Sequence, residues 1–306
     1  MSSKSILVLG AGELGTPILQ SLAQHPSRGT AKLTVLLREQ TINTKDAAKK
    51  KSVDYLRSLG IELLAGDVQQ DDERTLAAKF QPFDTIIGCT GMAGVPNTQV
   101  KLARAVLAAG SVRKYIPWQF GVDYDVIGRA SSQDLFTEQL LVRDLLRTQV
   151  QTKWVIISVG MFMSFLFEDF FGVVSADRRT VRALGSWETK VTVTCVEDIG
   201  RVTAEVIFGQ PAIEDQVVFA AGDSISYGEL ADVVEKVGGQ KVDREEWTVE
   251  KLKKDLASDA ENGIKKYRVA FAEGTGVSWD LSKTINAQRG LQLLTVEQWL
   301  QREGKD

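Results

Sequence analysis

One histidine (His25), two cysteines (Cys89 and Cys195) and six prolines are all that this chain of 306 residues holds of those types. The cysteines sit singly in strand-like runs, at the spacing of neither a zinc site nor a disulfide framework, so a reduced, cytoplasmic protein without a metal is expected. Charge of one sign is also missing. Lys plus Arg total 37 against 40 for Asp plus Glu, a net charge of -3, with no run of five basic residues to track a phosphate backbone, which excludes nucleic acid as a partner. Long apolar runs are absent as well. The greasiest stretch, Gly160 to Val174, is broken by Glu168 and Asp169 and falls short of the ~18 residues a membrane span needs, and Ile6 to Leu9 is too short for a signal h-region. Neither an internal repeat nor a low-complexity tract is seen.

What is present is a globular composition, 43% hydrophobic and 25% charged, sufficient for about two domains at ~150 residues each. Short apolar runs at Ser5–Leu9, Lys32–Leu37, Ile61–Leu64, Asp84–Gly88, Arg113–Pro117 and Trp154–Ser158 read as strands. Between them Leu14, Ile18 and Leu22, then Val100, Ala103 and Leu107, then Leu135, Leu141 and Leu145 keep helical spacing. Strand and helix in alternation predict an α/β fold, a Rossmann-like doubly wound parallel sheet over residues 1–158. A smaller, mainly helical substrate domain is expected over 159–306, with a strand at 191–196 returning to the first sheet. Its expected elements are a strand at Trp187–Val193 and helices at Glu197–Phe208, Ser226–Val237, Trp247–Leu256 and Thr295–Arg302. The Ser226 helix opens with a Ser-x-x-Glu capping box to Glu229.

Gly10-Ala11-Gly12-Glu13-Leu14-Gly15 fits G-x-G-x-x-G at the place where the motif carries meaning, after a strand and before a helix. Gly10 permits the tight turn, Gly12 lets backbone approach a pyrophosphate, and Gly15 lets helix and strand pack closely. A dinucleotide is therefore the expected cofactor. The second strand ends at Arg38, where an NAD-binding unit usually carries a carboxylate, and arginine suits a 2′-phosphate. NADP(H) is expected, with Glu39 one residue on as the competing ribose ligand and Lys45, Lys49, Lys50 and Lys51 as further charge. Asp67 after the third strand and Gly88 to Gly91, including Thr90, after the fourth fall at carboxyl ends of strands, where open α/β sheets bind ligands.

Hydride transfer to an oxygen-bearing carbon needs a proton donor or acceptor. His25, at the far end of the first helix, reads as a surface residue. The Tyr-x-x-x-Lys pair of short-chain dehydrogenases is absent, since none of the five tyrosines has lysine four residues on.

The glycine turn, Arg38, Gln99, Tyr115-Ile116-Pro117-Trp118-Gln119-Phe120-Gly121-Val122-Asp123 and Asp198-Ile199-Gly200, in that order, resemble the NmrA-like, isoflavone-reductase-like family, closest to its fungal branch with Trp-Gln-Phe-Gly. The resemblance is strongest from Ile6 to Ser158. It implies an atypical short-chain dehydrogenase fold and NADPH-dependent reduction of aromatic or phenylpropanoid-like compounds, with relatives that only sense the dinucleotide. It also adds Gln99, Trp118 and Gln119 to the cofactor side. Reductases of this family handle the substrate proton with a lysine in a Phe-x-x-Lys pattern; here Phe136-Thr137-Glu138 is followed by Gln139. Relatives also show Ser-Glu where this chain has Trp118-Gln119.

An amide orients an oxygen but takes no proton, so Tyr124 becomes the first candidate for that task, with Asp123 beside it and Gln139 as a hydrogen-bonding partner. Phe120, Met161, Phe162 and Phe165 are expected to line an aromatic pocket in a cleft between the two domains. The reading is an NADPH-dependent reductase of an aromatic or conjugated carbonyl compound, with a homodimer admitted. The alternatives are a sensor that binds NADP(H) and a protein partner, or an isomerase or other tailoring enzyme on the same fold.

Overall fold

The computed structural model describes residues 4–91, 95–129, 131 and 134–304. Its first half runs β1 (Ser5–Leu9), α1 (Gly15–Gln24), β2 (Lys32–Leu37), α2 (Glu39–Ile42), α3 (Ala47–Ser58), β3 (Ile61–Ala65), α4 (Glu73–Phe80), β4 (Thr85–Gly88), α5 (Thr98–Ala109), β5 (Lys114–Ile116), α6 (Tyr124–Ile127), α7 (Thr137–Arg147) and β6 (Lys153–Ser158). The second half runs β7 (Met161–Phe162), β8 (Thr180–Leu184), β9 (Lys190–Thr194), α8 (Val196–Phe208), β10 (Gln216–Phe219), β11 (Asp223–Ser226), α9 (Tyr227–Gly238), β12 (Asp243–Trp247), α10 (Val249–Ala257), α11 (Gly263–Glu273), α12 (Ile285–Arg289) and α13 (Val296–Glu303).

Seven strands form the main sheet in the order β3-β2-β1-β4-β5-β6-β10, and the pairs from β3 through to β6 are parallel. Crossovers leave β1 in opposite directions, which makes the carboxyl ends of β1 and β4 a topological switch point. Ile6 to Leu9 are wholly buried, the continuous apolar run of a strand covered on both faces. One face is filled by Leu7, Leu9, Ile86, Tyr115 and Ile156 from strands against Leu76 and Phe80 of α4, Leu102 and Val106 of α5, and Val142 and Leu146 of α7. α1 and α3 pack with each other, and Gly200 of α8 sits so close to the Pro17 carbonyl of α1 that a side chain would not fit.

The chain divides into two compact units, residues 1–119, 138–157 and 199–218 in one and 120–137, 158–198 and 219–306 in the other. The second holds a three-stranded sheet, β11-β9-β7, and a two-stranded one, β12-β8, beside its helices. The strand expected to return to the first sheet, 191–196, does not. β9 pairs with β7 (Met161 to Val193) and β11 (Asp223 to Val193), and the strand that joins the main sheet is β10, whose four residues form too short a run to stand out in the sequence. Trp247 ends β12 rather than opening a helix, and α10 begins after the Thr248 cap, whose hydroxyl accepts from the Lys251 amide at 3.2 Å. The capping box of α9 forms as expected, with Ser226 and Glu229 exchanging both bonds. Among the described residues no helix is long and apolar enough to cross a membrane, and no group of three or more His, Cys, Asp or Glu is placed to hold a metal.

Candidate functional site

β1 hands the chain to α1 through the glycine turn. Gly10 has φ of +100°, a left-handed conformation that costs a side chain energy but glycine nothing. Its amide donates to the Leu36 carbonyl at 3.2 Å, tying the turn to β2. A Cβ on Gly15 would overlap the Gly10 carbonyl, whereas one on Gly12 would meet no atom within 4 Å. The middle glycine is thus not needed for packing, and the space in front of it is open. Leu14 is buried and Glu13 exposed, and Leu14, the residue before α1, offers no side-chain cap; the Thr16 and Ile18 amides already donate to the Gly12 and Leu14 carbonyls and Pro17 has none, so it is chiefly the positive end of the helix dipole that the open turn leaves for an anion.

The other helix that starts at the switch point is different. The Glu138 carboxylate, reaching from α7, accepts from the Gln99 amide at 2.6 Å and the Val100 amide at 3.2 Å. α5 therefore already has its anion. Gln99, 4% exposed, donates from Nε2 to the Gly91 carbonyl at 2.7 Å and the Thr90 hydroxyl at 3.2 Å, and so holds the turn after β4 in shape. Gly88 is needed where β4 ends, because a Cβ there would lie 2.8 Å from the Trp118 nitrogen.

Arg38, exposed at the end of β2, lines an open cavity of about 610 Å³ with Glu39, Asn43, Asp67, Asp71 and Lys79. Its guanidinium makes no hydrogen bond or ion pair with a described residue. Asp67 accepts from the Gln69 and Gln70 amides at 2.9 and 3.4 Å and so caps its own loop. The Lys45–Lys51 cluster expected to add charge does not line this cavity; Lys49, Lys50 and Lys51 are exposed on α3. The cavity's second cation is Lys79 of α4, bonded to the Ala65 carbonyl at 2.8 Å and 3.6 Å from the Asp71 carboxylate. No motif marked it.

At the end of β5, Trp118 is half-buried and Gln119 is 1% exposed. The helix face expected at Leu135, Leu141 and Leu145 is not the buried one. Leu141 is 42% exposed, and α7 instead buries Gln139, Leu140, Val142, Arg143 and Leu146, an inward stripe whose two long polar residues are both tied to Gln119. Arg143 Nε donates to Gln119 Oε1 at 2.7 Å, and Gln119 Nε2 donates to the Gln139 backbone carbonyl at 2.9 Å. Gln139 Oε1 is buried without a hydrogen-bond partner among the described residues. Among the described residues Arg143 is the largest fully buried side chain, and a sign of it was available: it stands four residues after Gln139, on the same helix face.

The remaining candidates lie in the second unit. Asp123 caps α6, its Oδ1 accepting from the Asp125 and Val126 amides at 3.2 and 3.4 Å. Tyr124 is 2% exposed, its ring 4.9 Å from that of Phe136, and its hydroxyl occupies the space a Cβ on Gly121 would take. Phe120 is buried. Met161 and Phe162 form β7, and Phe165 lies in a 3-10 turn with rings 5.6 and 5.9 Å from Phe170 and Phe171. The aromatic stretch is largely satisfied by packing, with Phe167 stacked on Trp299 at 5.1 Å and Phe170 alone among its phenylalanines exposed. His25 is not a free surface group. Its side chain is 16% exposed, with Nε2 3.4 Å from the Glu205 carboxylate and the ring 5.2 Å from Phe208.

A family model described as NmrA-like matches residues 2–300. The chain belongs to the NmrA-like family. An NmrA-like family domain-containing oxidoreductase of Gibberella moniliformis is 50% identical over 97% of both chains, and a phenylcoumaran benzylic ether reductase of Betula pendula is 26% identical over 98% of both. In fold, this NmrA-like chain is similar to leucoanthocyanidin reductase of Vitis vinifera in its binary complex with NADPH, with a TM-score of 0.82, 17% identity and 99% and 100% of the two chains covered. It is likewise similar to a crystal structure of isoflavone reductase, with a TM-score of 0.80 at 22% identity over 99% and 100%.

Proposed function

We propose that this NmrA-like protein is an NADPH-dependent reductase of aromatic or conjugated carbonyl compounds. The observation that carries the reading is the open space at Gly12 before an uncapped α1, at the switch point of a doubly wound sheet. The residues fit a dinucleotide: the turn would hold the pyrophosphate, and Arg38, with no side-chain partner among the described residues, the 2′-phosphate. Bound there, the cofactor supplies a hydride. The oxidoreductase and reductase names of the relatives support the reaction class.

In this reading Trp118 and Gln119 stand at the nicotinamide end, Gln139 orients the substrate oxygen, and Tyr124, with Asp123 holding its loop, donates the proton. Phe120, Met161, Phe162 and Phe165 supply the apolar lining an aromatic substrate needs. NADPH oxidation is followed with aromatic ketones, quinones and enones. Multiple turnovers are expected, with Tyr124→Phe lowering kcat at least about tenfold and leaving NADPH affinity unchanged. Full activity of that variant would assign the hydroxyl to packing against Gly121.

A second reading, a dinucleotide sensor that binds a protein partner, is favoured by Gln139, which carries no transferable proton. NADPH binding with no turnover across the panel, together with a cofactor-dependent change in affinity for a partner, would select it.

A further inference from the structure

A glutamine amide looks nearly the same when turned through 180°, and only neighbours of opposite character fix it. Gln119 has two such neighbours. Arg143 Nε can only donate and lies 2.7 Å from Oε1; the Gln139 backbone carbonyl can only accept and lies 2.9 Å from Nε2. Turning the amide over would set donor against donor and acceptor against acceptor, each buried where water cannot compensate. Guanidinium stays protonated throughout the working pH range, so the lock does not open with pH. What the pinned amide leaves unspent is its second Nε2 hydrogen, and the residue it bonds, Gln139, leaves its own side-chain carbonyl unspent.

We propose that Arg143 is a positioning residue, which orients Gln119 and, through it, the first turn of α7, so that a fixed N–H of Gln119 and the carbonyl of Gln139 meet a ligand group that both accepts and donates, such as a hydroxyl. Its kinetic consequence rests on the reductase reading; its structural consequence does not. Arg143 touches no reacting atom in this scheme and acts by holding Gln119 still, an effect of the size that small misplacements have on rate.

Nitrogen-15 NMR of the full chain reads the lock directly. The two Gln119 side-chain N–H signals, assigned by their loss in Gln119→Leu, are expected to be well separated and slow to exchange in the unmodified protein. In Arg143→Met they should exchange at least about tenfold faster. Arg143→Lys keeps the charge but has no Nε–H and should not restore them. In the reductase assay, Arg143→Met should lower kcat about 10–100-fold, with KM for NADPH within about twofold, and the double variant with Gln119→Leu should be no worse than the poorer single one.

A folded Arg143→Met protein with unaltered Gln119 signals and kcat within twofold overturns the assignment. Should Arg143→Met fail to fold, Gln119→Leu decides, since the Arg143 Nε–H signal must then shift and lose protection; an unmoved signal overturns it. If the unmodified protein turns nothing over, the reductase reading fails by itself while the amide signals still settle the positioning role.

Discussion

Two helices begin at the carboxyl edge of the same sheet, on either side of its switch point, and they meet that position in opposite ways. α5 takes a carboxylate from within the chain, Glu138, onto its first amides. At α1 the preceding residue, Leu14, offers no side-chain cap, and the glycine turn in front has room to spare. Both helix ends attract an anion by the same physics. The position at α5 is already filled from within the chain, so what the chain omits at α1 is as informative as what it supplies at α5.

The sharpest way to break this contrast is inside the glycine turn. Gly12→Val should fold with an unchanged melting temperature and lose all stabilisation by NADPH, an affinity loss of at least about 100-fold, because the new side chain fills the space the pyrophosphate needs. Gly15→Val should instead fail to fold or melt far lower, since its Cβ overlaps the Gly10 carbonyl. Stabilisation of the Gly12 variant by NADPH would move the phosphates elsewhere.

Arg38→Asp comes next. About 10-fold or more should be lost for NADPH and little for NADH in a fluorescence titration, as a charge-assisted contact to the 2′-phosphate becomes a repulsion. Equal affinities in the unmodified protein would give the position to Glu39 and a ribose hydroxyl.

Glu138→Ala tests the other helix. Loss of a cap costs about 1 kcal/mol, read as a lower midpoint in urea, while NADPH affinity stays within about twofold if α5 plays no part in binding phosphate. An effect of similar size on stability, with none on the cofactor, is expected at Asp84, at the opposite edge of the sheet. Burial pushes its carboxyl up, but the Ser5 hydroxyl and amide, at 2.7 and 3.0 Å, and Arg113 hold it below its ordinary value of 3.8. A lowered folded-state value means stability that is complete above pH 3.8 and lost as pH falls through the folded value. Asp84→Ala should therefore cost about 1 kcal/mol at pH 7 and less as the acid limb is approached, by denaturant titration at a series of pH values.

The sequence shows the main sheet clearly because β1, β2, β4 and β6 are apolar runs buried over nearly their whole length, separated by helices of a different period. It shows poorly whatever is short or held by distant partners. β12 reads Asp-Arg-Glu-Glu-Trp and lies exposed over most of its length, so no alternation marks it. At the site, Gly10, Gly12, Gly15 and Arg38 are legible because motif and position coincide. Glu138, Lys79 and Arg143 are not, because each acts on partners outside its own helix, and nothing local distinguishes a charged side chain that turns inward from one that stays in water. Leucine spacing misplaced the face of α7 for the same reason: Gln139 and Arg143 are polar, yet they are what the helix buries.

β10 also has a consequence for how the chain is made. It closes the edge of the sheet beside β6, yet it leaves the ribosome about sixty residues later than β6 does. At synthesis rates of about 5–20 residues per second, the β6 edge stands open for about 3–12 seconds, offering unpaired N–H and C=O groups to any neighbouring strand. Yield at high expression should therefore depend on what shields β6 during that interval. A chain truncated before Gln216 would keep the glycine turn and Arg38 and still be prone to aggregate.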